Sequence, residues 1–153
     1  MEHPVAIGAR SQVAVMLALQ AADLPFLVPF GENTRYDLVL DLGDRFVRLQ
    51  CKTGRLRGGA IRFAACSTYA HHPNPRVRTR DYRGEVDYFA VYCPETAGVY
   101  LIPLDEFTNR VAGSLRVEPS RNSQRRGIRL ADDYHLADVS VEVIDQRTCY
   151  DKT

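Results

Sequence analysis

Two stretches of strict alternation, Tyr36 to Leu42 and Phe46 to Thr53, are joined by Gly43-Asp44. Period-two patterning sends successive side chains to opposite faces, so each stretch reads as a strand, and the connection reads as a tight hairpin. Leu38, Leu40 and Leu42 share one face of the first strand; Asp37, Val39 and Asp41 share the other. On the returning strand Val47, Leu49 and Cys51 lie on one side, with Arg48, Gln50 and Lys52 opposite. The register that buries both apolar sets leaves Asp37, Gln50 and Lys52 on a common face.

Composition singles out one member of that face. Of 20 basic side chains only Lys52 and Lys152 are lysines, the other 18 being arginine. Lysine carries a compact ammonium whose pKa moves readily, whereas guanidinium stays planar and charged. A lysine at this position in an arginine-using chain points to a role that guanidinium does not fill.

Around the hairpin, Ala9 to Ala22 reads as a helix capped near Gly8, with Val13, Met16, Leu17 and Gln20 at helical spacing and a stop at Asp23-Leu24-Pro25. Phe26 to Val28 reads as a short buried strand and Gly31 to Thr34 as a turn. Arg55 to Gly59 is a basic turn before a strand from Ile61 to Cys66. Ser67 to Gly84 is an irregular basic excursion containing Tyr69, Tyr82 and the pair His71-His72. Tyr88 to Tyr92 and Val99 to Ile102 are strands about a turn, with Tyr88, Tyr92 and Tyr100 expected in the core. A short helix over Leu104 to Val111 and strands at Leu115 to Val117 and Val139 to Ile144 complete the reading. Residues 1–153 are therefore expected to form a single α/β domain, a leading helix on a mixed sheet, with basic loops around 67–84 and 118–129.

The 45% hydrophobic and 25% charged fractions are those of a soluble globular chain. No window approaches the roughly 20 apolar residues of a membrane span, so no membrane is expected as a partner. Met1 to Arg10 lacks the basic head and apolar core of a secretory signal, so the expected compartment is cytoplasmic. Cys51, Cys66, Cys93 and Cys149 are widely spaced and read as structural thiols, not a zinc site.

Net charge is only +1, but the basic residues cluster. Arg55, Arg57 and Arg62 follow Lys52; Arg76, Arg78, Arg80 and Arg83 form a second group; Arg121, Arg125, Arg126 and Arg129 form a third. Segregation of this kind suits one face for phosphates, the plainer alternative being arginines on solvated loops. Arg55, Arg57, Arg80, Arg83, Arg121, Arg125 and Arg126 are the candidate phosphate contacts, and Tyr69 and Tyr82 flank the basic excursion where an aromatic meets sugar or base.

Phosphodiester hydrolysis with a metal needs oxygen ligands for a hard cation and a group that orients water or offsets developing charge. Asp37, the Gln50 side-chain oxygen, the Cys51 main-chain carbonyl and Lys52 supply these on adjacent strands. The plainer reading of the same spacing is a structural ion pair between Asp37 and Lys52.

An acid, a hairpin and then acid-x-Lys resembles the signature of the PD-(D/E)xK nuclease superfamily. Val28-Pro29-Phe30-Gly31-Glu32-Asn33 running into Tyr36-Asp37-Leu38-Val39, then Leu49-Gln50-Cys51-Lys52-Thr53, resembles its group I intron-associated homing endonuclease branch. So do Asp87-Tyr88-Phe89-Ala90-Val91-Tyr92 and Tyr100-Leu101-Ile102-Pro103; the likeness spans Gly8 to Pro103. The resemblance implies a restriction-endonuclease-like core, a mixed β-sheet flanked by helices. It implies Mg2+, or Mn2+ in its place, and hydrolytic cleavage of double-stranded DNA to a 5′-phosphate and a 3′-hydroxyl by a homodimer or homotetramer. Asp37 would be the metal-binding acid and Lys52 the catalytic lysine. Gln50 stands where most of the superfamily has Asp or Glu, and Gln12 where it has a helical Glu. Two alternatives stay open: a junction-resolving or repair nuclease that reads DNA shape, and, through the two amides in place of acids, a catalytically weakened DNA-binding protein on the same fold.

Overall fold

The computed structural model describes residues 1–69, 78–107, 111–139, 141, 142 and 144. His71, His72, Arg76 and Cys149, and the side chain of Tyr69, lie outside that description.

Helix α1 spans Pro4–Ala21, starting a turn earlier than the sequence suggests. His3 caps it, Nδ1 accepting from the Val5 N–H at 3.3 Å. Pro4 sits in the first turn, where a missing N–H leaves nothing unmet, so Gly8 is helix interior. At the other end Leu24 N–H donates to Leu19 O at 3.0 Å and Asp23 N–H to Gln20 O at 3.2 Å. Asp23 adopts φ 53°, which closes a Schellman turn, and Pro25 prevents continuation.

The buried face of α1 is Ser11, Val15 and Leu19. The face expected from Val13 and Leu17 points outward, these two being 62% and 70% exposed. The helix is apolar almost all round, so periodicity did not choose between its stripes.

Among the described residues ten strands follow: β1 (Phe26–Leu27), β2 (Leu38–Asp41), β3 (Phe46–Thr53), β4 (Arg55–Arg57), β5 (Ala60–Ala64), β6 (Ser67–Tyr69), β7 (Arg78–Arg80), β8 (Tyr88–Cys93), β9 (Gly98–Pro103) and β10 (Ala112–Arg116). The main sheet runs β1-β2-β3-β8-β9. Only the central β3–β8 pairing is parallel, which makes the sheet mixed. The β2–β3 hairpin forms in the expected register, Leu38 opposite Leu49 and Leu40 opposite Val47, with Gly43 at φ 90° in the turn.

One face of this sheet packs on α1 through Val15, Leu19, Leu38, Leu40, Val47, Leu49, Tyr88 and Ala90. The opposite face meets a second sheet, β10-β5-β4, through Ile61, Phe63 and Leu115 against Phe89, Val91 and Ile102. The expected α/β class and mixed sheet are thus present, with a helix on one face and a smaller sheet on the other. Gly54 is where the chain passes between sheets. A Cβ there would stand 2.6 Å from Ile61 Cγ2 and 2.9 Å from Val91 Cγ1.

Several local expectations need correction. The strand at Phe26–Leu27 is not buried: Leu27 and Val28 are about half exposed, since β1 is the sheet edge. Arg55–Arg57 form a strand, paired to β5 across a Gly58-Gly59 turn. The excursion after Cys66 contains the paired strands β6 and β7. Leu104–Glu106 is a single 3-10 turn, and Phe107 beyond it is extended. Val141, Glu142 and Ile144 are helical where a strand was expected. Among the described residues no helix is long and apolar enough to cross a membrane.

Candidate active site

Extending the hairpin register by one residue sets Asp37 opposite Gln50, and the Asp37 N–H donates to Leu49 O at 2.8 Å. Gln50 Nε2 donates to Asp37 Oδ2 at 2.7 Å, and the Cys51 main-chain N–H donates to the same oxygen at 2.9 Å. Among the described residues no hydrogen bond reaches Oδ1. Burial raises the Asp37 pKa above its ordinary 3.8, against smaller downward pulls from the Cys51 N–H and Lys52. The carboxylate is therefore short of positive charge.

Lys52 does not supply it directly. No ion pair joins Asp37 and Lys52, so the plain structural pairing is not what the fold builds. Lys52 Nζ donates to Cys66 O at 3.1 Å and to Tyr82 Oη at 3.0 Å, and sits 4.5 Å from the Tyr82 ring centroid. Cys51 shares the strand but sends its thiol to the α1 side, where burial pushes the thiol pKa up and keeps it neutral. Its carbonyl is the group available to the site. Cys66 and Cys93 are buried free thiols, in line with structural roles.

Gln12 follows Ser11, whose Oγ lies 2.6 Å from Thr53 Oγ1 beside Lys52. Gln12 itself is half-buried and makes no described hydrogen bond to Asp37, Gln50 or Lys52. The fold thus brings Asp37, Gln50, Cys51 and Lys52 together and leaves Gln12 one helix position from the junction.

The candidate DNA contacts are distributed unevenly. Arg57, Arg80, Arg83, Arg121, Arg125 and Arg126 are exposed, and Arg55 is half-buried. Arg80 is held by Glu85 at 2.6 Å. Arg55 lies opposite Arg62 across β4–β5, a like-charge pairing. Tyr82, expected to face DNA, is 5% exposed and belongs to the core; Tyr88 and Tyr100 are core residues as expected.

Arg35 escaped the sequence reading, as did the burial of Tyr82. Arg35 has the strand parity of Asp37, and that was a usable signal. Its guanidinium bonds Glu85 at 2.7 Å, Ser67 Oγ at 2.9 Å and Asp81 O at 2.7 Å, and stacks 4.2 Å from the Tyr82 ring. Tyr82 was hidden by its basic neighbours; its four-residue spacing from buried Val86 was the available clue.

The donor set fits a hard divalent cation: one carboxylate oxygen without a hydrogen bond, one main-chain carbonyl and one amide. Gln50 currently turns its NH2 toward Asp37, so service as an oxygen ligand requires its amide to rotate. Among the described residues no group of three or more His, Cys, Asp and Glu is clustered for a metal. A cleft of about 550 Å³ opens beside Arg48, Asp87 and Phe46 and is not lined by Asp37, Gln50 or Lys52. A duplex ligand calls for a surface, so the geometry of Asp37 outweighs that cavity.

A model of the PD-(D/E)XK endonuclease family matches residues 3–137. Among solved structures, a bacterial homing endonuclease, I-Ssp6803I, superposes with a TM-score of 0.72 at 22% identity. The match covers 99% of this chain and 100% of that one, and it shows a shared fold. No curated protein matches the chain. On the family match, which takes in α1, the Asp37–Lys52 hairpin and the β8–β9 pair, this chain belongs to the PD-(D/E)XK endonuclease family.

Proposed function

We propose that this endonuclease is a Mg2+-dependent enzyme that hydrolyses phosphodiester bonds of double-stranded DNA, in the manner of a homing endonuclease. The observation that carries the reading is Asp37: a carboxylate with raised pKa, held through Oδ2 alone, on the face that carries Lys52. Asp37 Oδ1, the Cys51 carbonyl and, after rotation, Gln50 would hold the cation. Bound there, Mg2+ or Mn2+ supplies polarisation of the phosphoryl oxygen and a more acidic water. Lys52 offsets charge developing on the phosphate or orients the attacking water. Arg55, Arg57, Arg80, Arg83, Arg121, Arg125 and Arg126 provide phosphate contacts that fix register. One site per chain and two strands to cut favour a homodimer or homotetramer, and the outward Val13–Leu17 stripe on α1 offers apolar surface for it.

One observation favours the weakened-binder alternative: the Gln50 amide satisfies Asp37 without metal, so the resting site is stable as it stands. Incubating the protein with linear and branched duplexes in Mg2+, Mn2+ or chelator separates the readings, run beside Asp37→Ala and Lys52→Ala. Binding without cleavage under every condition overturns the enzyme reading. Equal cleavage by the variants overturns the site. Gln12→Glu tests the helix position: a carboxylate lining the site tightens Mg2+ binding, and unchanged metal dependence removes Gln12 from it.

A further inference from the structure

The Lys52 ammonium is tied to both roots of one ribbon. Cys66 immediately precedes β6, and Tyr82 stands two residues after β7. Their oxygens accept two of the three ammonium protons, at 3.1 and 3.0 Å, which leaves one N–H direction for a reacting group. Tyr82 is itself immobilised. Its ring lies edge-on to Phe89 at 5.8 Å, and the Arg35 guanidinium stacks on it while bonding Ser67 and Asp81 at the same two roots.

A lysine side chain carries substantial rotamer freedom, and freedom at a catalytic group lowers the fraction of time spent in attack geometry. We infer that Tyr82 is a positioning residue for Lys52, its hydroxyl and ring together fixing where the ammonium stands. The inference rests on the nuclease reading of Lys52 given above. It also accounts for the lone lysine. The recess between a carbonyl, a phenol oxygen and a ring face takes a compact ammonium, and the larger planar fork of arginine would not reproduce both bonds.

Tyr82→Phe keeps the ring and removes only the hydroxyl. Its single-turnover cleavage rate should fall about ten- to a hundredfold, the loss of one hydrogen bond to a charged group, with DNA Kd unchanged. Tyr100→Phe is the control for a merely structural role. That hydroxyl lies 3.0 Å from Thr96 Oγ1 in the same core layer, so its loss should leave cleavage unchanged. A wild-type rate in Tyr82→Phe, or equal losses in the two variants, overturns the inference. Wild-type cleavage by Lys52→Ala would instead overturn the site assignment.

A readout independent of cleavage is the 15N-ammonium spectrum of lysine-labelled protein, which has only two lysines to assign. Lys52 should give a slowly exchanging ammonium signal that Tyr82→Phe moves into fast exchange. A Lys52 signal already in fast exchange in the wild type overturns the inference even if the protein cuts no DNA or the variant does not fold.

Discussion

Gln50 and Asp37 face each other across the β2–β3 hairpin as donor and acceptor, Nε2 to Oδ2 at 2.7 Å. Where an acid at position 50 would repel Asp37, the amide donates a hydrogen bond to one of its oxygens. The metal-free site is thereby stabilised by the same substitution that reduces its charge. Gln50→Glu should lower the metal-free stability by about 1–3 kcal/mol, through one lost hydrogen bond and a new repulsion. It should also raise Mg2+ affinity. Thermal melts with and without Mg2+ check both; a variant as stable as wild type without metal would show that this bond contributes little.

Asp37→Asn should abolish cleavage yet raise Tm at neutral pH. Both donors reach Oδ2, so an asparagine oxygen in its place keeps both bonds. The sign follows from burial, which lifts the folded pKa above 3.8. The folded state then holds the proton more tightly, and the group's contribution is most favourable below 3.8 and is lost as pH rises through the raised folded value. Removing the charge removes that loss. Melting curves across acid to neutral pH should converge at the acid end, and a lower Tm for the variant at neutral pH would contradict the account.

Lys52→Ala should reduce the cleavage rate at least about a hundredfold, on the scale of losing one preorganised electrostatic donor. DNA affinity should change little, because phosphate binding is spread over many arginines. Parallel gel-shift and single-turnover assays decide it; a large loss of affinity would recast Lys52 as a binding residue.

Arg57→Gln or Arg125→Gln, each at an exposed position, should weaken binding to all sequences alike. Each should also reduce the slope of log Kd against log salt by about one. An unchanged slope would remove that arginine from the interface.

Gly54→Ala should cost about 1–3 kcal/mol, as overpacked cores do, with a fall in Tm of a few degrees. The added methyl meets Ile61 and Val91, both fully buried between the sheets. Denaturant unfolding measures it, and an unchanged midpoint would mean the sheets part there freely.

The hairpin and its polar face were legible because alternation is strict from Tyr36 to Thr53 and the Gly-Asp turn admits one register. The Asp37–Gln50–Lys52 grouping came with it. Helix α1 was legible in kind but not in orientation, since Val13 and Leu17 look as apolar as Val15 and Leu19; only the sheet decides between them. Tyr82 was misplaced because arginines at 78, 80 and 83 give its surroundings a surface composition. Its burial depends on β8 lying beside β3, a long-range contact that no local pattern contains. For the same reason the ion-pair reading of Lys52 failed: its partner Tyr82 stands 30 residues away in sequence.

The parallel pairing of β3 with β8 also sets an order of assembly. Asp37 and Gln50 close a loop of 13 residues, Lys52 and Tyr82 one of 30. Chain entropy favours the shorter closure by about 0.7 kcal/mol, and the longer one further requires the whole crossover to fold back. The carboxylate half of the site is thus local and the lysine half non-local. In a φ-value study, substitutions in the β2–β3 hairpin should slow folding, whereas those at Tyr82 should chiefly speed unfolding.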